Sequence, residues 1–100
     1  MAFDMFAGDL RLSIHHSEEY IFVSAAQSPE KYPELTRVWE SFYDDPVIDH
    51  QRSNRIVHEL IALLANSGTS DPAMSNSVQR FLPFFSKAYT RSFSIQCKSD

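Results

Sequence analysis

Four histidines, at His15, His16, His50 and His58, are the side chains best suited by type to move a proton or hold a metal. Their spacing works against both uses. His15 and His16 are adjacent, so in an extended segment they face opposite ways and do not easily share one ion. His58-Glu59 matches the start of the helical zinc-protease motif, but Ala62 stands where the second histidine belongs. The plainer role for His58 is to border the core and bond a carbonyl. Cys97 is the single cysteine, which excludes an internal disulfide and a thiolate zinc site. Gly8 and Gly68 are the only glycines, too few for a phosphate-cradling loop. No serine sits in a nucleophile elbow. No catalytic signature and no cofactor is expected.

The stretch Glu40 to Gln51, "ESFYDDPVIDHQ", concentrates four carboxylates beside a proline and a histidine. Paired-carboxylate catalysis would need a concave site with a second group opposite, and neither is legible. Local roles come first. Asp45 before Pro46 has the arrangement of a helix cap followed by a first-turn proline. Asp49 is placed to cap the helix that follows. Asp44 falls near the end of the preceding helix, where the macrodipole disfavours an anion by about 0.3–1 kcal/mol. A partner's cation would offset that cost, so a binding face is the second reading. Arg52 and Arg55, three apart, share a helix face and are expected to join an internal salt-bridge network with these acids.

The charge is uneven. The net value is −4, yet residues 17–49 hold eight carboxylates against Lys31 and Arg37, while residues 50–100 are mildly basic. An acidic segment repels phosphate backbones and attracts basic proteins, so nucleic acid is not an expected partner. The longest apolar run, Leu60 to Ala65, is too short to span a membrane, and no basic segment precedes an apolar one at the start. A cytoplasmic protein is expected.

These residues need elements to position them. One hundred residues fit one domain, 1–100, able to bury a core without staples. "DLRLSIHH" alternates as a half-buried strand. "YIFVSAA", β-branched and aromatic, reads as a second strand completing a hairpin; the competing reading starts a helix at Ser17 with Glu18 and Glu19 in its first turn. Leu35, Val38, Trp39, Phe42 and Tyr43 form one helical stripe, beginning near Ser28 or Tyr32 because Pro33 tolerates only a first turn. Ile56, Val57, Leu60, Ile61, Leu63 and Leu64 mark a central buried helix, with Asn66 and Gly68 suited to its C-terminal cap. Asp71 and Pro72 start a third helix with the stripe Val78, Phe81, Leu82, Phe85, Ala88 and Tyr89, which Pro83 must kink or split. Phe93, Ile95 and Cys97 alternate as a last strand. The fold class is therefore α+β: an N-terminal β-hairpin and a C-terminal strand form a small antiparallel sheet packed against about three helices.

In size, in the acidic segment "SEEY…SPEKYPELTRVWESFYDDPVID" and in the tail "RFLPFFSKAYTRSFSIQCKSD", the chain resembles the small immunity proteins of bacterial contact-dependent growth inhibition and related toxin systems. The resemblance covers the organisation of the full length. It implies a non-enzymatic protein that binds and neutralises the basic C-terminal domain of a cognate toxin, often a nuclease, as a monomer in a heterodimeric complex. Carboxylates standing in for phosphates would then supply the contacts. The candidate toxin-binding residues are Glu18, Glu19, Glu30, Glu34, Glu40, Asp44, Asp45 and Asp49, with Tyr32 and Tyr43 as aromatic anchors. The alternative is a small hydrolase or ribonuclease using His58 or His50 with Asp45 or Glu59.

Overall fold

The hairpin forms one strand earlier than the alternation in "DLRLSIHH" suggested. In the computed structural model, which describes residues 2–67 and 71–99, β1 (Ala2–Ala7) pairs antiparallel with β2 (Leu10–His15). The register sets Phe3 opposite Ile14, Met5 opposite Leu12 and Ala7 opposite Leu10. Gly8 and Asp9 make the two-residue turn. Gly8 has φ +61°, as the first central position of a type II′ hairpin requires. A Cβ there would also meet the Phe93 ring at 2.7 Å.

Residues 20–26, expected as the second strand, instead form the helix α1 (Tyr20–Ala26), entered through a 3-10 turn at His16–Glu18. The competing helical reading of this segment is the one the structure bears out. With β1 already paired to β2 in full register, Ile21, Phe22 and Ala25 gain more by burying one helical face, which leaves Val23 exposed. The next helix, α2 (Pro33–Glu40), starts after Tyr32 with Pro33 in its first turn. Leu35 and Val38 are buried along its stripe and Trp39 is half-buried. Phe42 is buried just beyond its end.

Pro46 starts no helix. It leads into the two-residue strand β3 (Val47–Ile48). Asp49 then caps α3 (His50–Ser67), accepting the Arg52 N–H at 2.8 Å, as its position in the sequence suggested. Ile56, Leu60 and Leu63 are buried, whereas Ile61 is half exposed, so α3 is less enclosed than its composition implied. The cap expected at Gly68 lies outside the described residues.

Asp71 caps α4 (Pro72–Thr90) by accepting the Met74 N–H at 3.1 Å. The helix continues as one element through Pro83, which stands exposed where its missing donor faces solvent. The last strand, β4 (Ile95–Ser99), pairs antiparallel with both β1 and β3, giving the strand order β2-β1-β4-β3. The architecture is α+β: a four-stranded antiparallel sheet with four helices. The inward side chains Phe3, Met5, Ile14, Ile48, Ile95 and Cys97 meet the buried helical stripes. Phe42 ties the two layers, its ring stacked 3.9 Å from that of Phe3. The outer sheet face is polar, and there Asp4 accepts from Ser13 at 2.7 Å and from Arg11 at 3.3 Å. No described helix is long and apolar enough to cross a membrane.

Candidate functional site

The fold divides the candidate carboxylates into an internal set and an external set. Glu34 belongs to the first. Its buried side chain is held by Arg52 Nε at 2.8 Å, Arg55 Nη1 at 3.4 Å and Arg37 Nη1 at 3.6 Å. Arg52 also donates to the Val47 carbonyl at 3.3 Å, so the same side chain ties α2, β3 and α3 together. Arg52 and Arg55 do enter an internal network, but its acid is Glu34 rather than the neighbouring carboxylates of the 40–51 stretch expected to pair with them.

Glu18 is likewise buried. It accepts from Arg80 on α4 and from the backbone N–H of His15 at 3.0 Å. Burial alone would push its carboxyl up, but the Arg80, His15 and Ser77 hydrogen bonds outweigh that and hold it below the usual range. Glu19 pairs with His16 at 2.9 Å. Tyr32 is buried, its hydroxyl accepting from Asn66 at 2.9 Å, so it offers no anchor to a partner. The eight carboxylates thus do not share one surface. Tertiary folding turned Glu18 and Glu34 inward because each meets an arginine from a distant part of the chain, which no local pattern announces.

The external set lies between the end of α2 and the start of α3. Glu40 is the last residue of α2 and Asp44 follows within one turn. Both are exposed, and neither joins an ion pair among the described residues. Both stand at the negative end of the α2 dipole, an unfavourable place for an anion. Tyr43 between them is 59% exposed and Val47 is 52% exposed. Asp45 is not the helix cap its sequence context suggested. It takes a left-handed conformation, φ +47°, and accepts the Ser99 N–H at 3.1 Å, pinning the segment to β4. Asp49 is exposed but occupied as the α3 cap, and the Arg52 N–H holds its carboxyl below the ordinary range. Glu30 is exposed on the connection between α1 and α2.

The histidines meet none of the carboxylates proposed for them. Glu59, beside His58, points inward and accepts the N–H groups of Glu34 and Leu35, both at 3.0 Å. It thereby supplies from α3 the cap that Tyr32 does not give α2. Burial pushes its carboxyl up against the opposing effect of those two bonds. His58 is exposed, and His50 stacks on Tyr89 with centroids 6.3 Å apart. Among the described residues no three histidine, cysteine or acidic side chains converge as a metal site. Comparison with protein-family models, with curated proteins and with solved structures finds no match to this chain.

Proposed function

We propose that this is a non-enzymatic immunity protein of the cytoplasm, which binds the basic C-terminal domain of a cognate toxin, of nuclease type, and neutralises it one to one. The observation that carries the reading is the segment 40–47. There two solvent-facing aromatic and aliphatic side chains, Tyr43 and Val47, sit among carboxylates that pair with no cation among the described residues. Glu40 and Asp44 are costly where they are in the isolated protein. A partner's lysine or arginine removes that cost on binding, while Tyr43 supplies the apolar anchor that interfaces favour. Asp45 and Asp49 extend the negative field without being free to move. Such a field steers a cationic domain and lifts association toward roughly 10⁸–10⁹ M⁻¹s⁻¹ at low salt.

The test is association between the purified protein and the C-terminal domain of the secreted protein encoded beside it, followed at low and high salt. Glu40→Lys with Asp44→Lys is expected to slow association about tenfold or more and to weaken its salt dependence. Tyr43→Ala is expected to speed dissociation instead. Absence of binding, or an on-rate indifferent to salt and to both charge reversals, overturns the reading.

A further inference from the structure

The sheet has a second edge, β2, that is open over only part of its length. The hairpin closes on Ala7 and Leu10 across a two-residue turn. By the alternation of an antiparallel ladder, Leu10, Leu12 and Ile14 direct their backbone groups toward β1, and Arg11, Ser13 and His15 direct theirs outward. Two outward groups are capped from within the chain. The His15 N–H donates to Glu18 at 3.0 Å, and the Ser13 carbonyl accepts Arg80 Nη1 at 2.9 Å. The Ser13 N–H and both backbone groups of Arg11 have no partner among the described residues. A cavity of about 270 Å³ opens along this same stretch, between the β2 edge and α4. Leu10, Leu12, Pro83 and Phe84 give it an apolar lining, and Arg80 and Lys87 stand on its α4 wall.

Three features fix the occupant. Unpaired strand groups call for another strand. The cavity is smaller than the roughly 300–1,000 Å³ that encloses a drug-sized ligand, so it suits one or two side chains of a chain whose backbone runs outside it. Its charge is positive: Arg80 is already matched by Glu18 and Arg11 by Asp4, but Lys87 is in no ion pair among the described residues. We propose that this groove takes an extended peptide segment from another protein, added as a strand along Arg11–Ser13 and carrying a carboxylate directed at Lys87. The sites at the two sheet edges are thus opposite in charge, and this one does not rest on the toxin reading.

The test uses two random peptide libraries displayed on phage, one with free C-terminal ends and one with both ends joined to the carrier, selected on the purified protein. Selected peptides are then synthesised and titrated while the amide resonances of Arg11, Leu12 and Ser13 are followed. Enrichment of an acid at one register in both libraries identifies a side-chain carboxylate. Enrichment in the free-end library alone identifies a terminal one. Lys87→Glu, an exposed change, is expected to weaken binding at least about tenfold by reversing the charge the carboxylate meets. Arg11→Pro removes an outward donor without touching the ladder and is expected to abolish the amide shifts of added-strand pairing. Selection without an acid, full affinity for Lys87→Glu, or shifts mapping to residues 40–48 overturns the proposal.

Discussion

The carboxylate of Glu59 accepts the backbone N–H of Glu34 at 3.0 Å, while the Glu34 side chain turns away to three arginines. Two buried acids, Glu59 on α3 and Glu34 on α2, are thus kept compatible: one caps a helix, the other neutralises a cationic cluster. Glu59→Ala leaves the Glu34 and Leu35 N–H groups buried without acceptors. The expected loss is about 2–4 kcal/mol, from the cost of about 1–3 kcal/mol for each unsatisfied group, partly relieved by water. Urea unfolding measures it.

The three arginines around Glu34 are unequal. Arg52 is largely buried with its side chain 14% exposed, whereas Arg55 and Arg37 are 60% and 59% exposed. Arg52→Ala removes the nearest and only buried partner of the Glu34 carboxylate, leaving two longer, solvent-screened pairs, and is expected to cost about 1.5–3 kcal/mol, the range of a hydrogen bond to a charged group. Arg55→Ala and Arg37→Ala remove solvent-screened pairs and are expected to cost less than about 1 kcal/mol each. Equal losses at all three positions would contradict this ranking.

Acidification acts on Glu18 and Glu59 in opposite directions. Glu18 and Asp49 are held below their ordinary values, so their stabilisation is present above the unfolded pKa of about 4 and is lost as pH falls through the folded value. Glu59 is raised, so the folded state takes up its proton first and stability gains as pH falls through that folded value. Glu18→Gln is expected to flatten the decline of stability in acid. Glu59→Gln, whatever its overall cost, is expected to steepen it. Unfolding free energies measured between about pH 3 and pH 6 separate the two slopes.

Cys97 lies on the inner face of β4, and burial pushes its thiol up to about 12. It carries almost no thiolate near neutral pH and is buried. Ellman's reagent is expected to leave the folded protein unmodified and to react at the rate of unfolding once urea is added. Prompt labelling in native buffer would show that β4 opens locally.

At Gly8, two constraints coincide: a positive φ and the Phe93 ring against the absent Cβ. Gly8→Ala is expected to cost more than about 1 kcal/mol from the left-handed conformation alone, with the displaced Phe93 adding to it. Thermal unfolding of the variant reads the sum.

The sequence disclosed its helices better than its strands. Leu35, Val38, Leu60, Phe81 and Phe85 announced their buried faces through spacing, and Asp49 and Asp71 announced their caps through the residues that follow. "YIFVSAA" misled because β-branched residues follow burial more than intrinsic preference: β1 took the hairpin place beside β2, and Ile21, Phe22 and Ala25 are buried on one helical face instead. The signal for β1 was present: Phe3, Met5 and Ala7 alternate with Asp4 and Phe6 ahead of a Gly-Asp turn. For the acids the limit was physical. Whether Glu34 faced solvent depended on Arg52 and Arg55, and whether Glu18 did depended on Arg80. Among the described residues, Glu30, Glu40, Tyr43 and Asp44 combined exposure with freedom from internal bonding, and the last three stand together between α2 and β3.

The pairing of Phe3 with Ser99 makes the sheet's middle out of the two most remote strands. On a ribosome, β1 emerges long before β4 and must wait for every element between them before its second neighbour exists. Until then its unpaired side stands available to any passing strand, a hazard that falls on the nascent chain alone. Vectorial synthesis can therefore complete the hairpin and the helices in turn, yet the β1–β4 seam closes only after β4 leaves the exit tunnel.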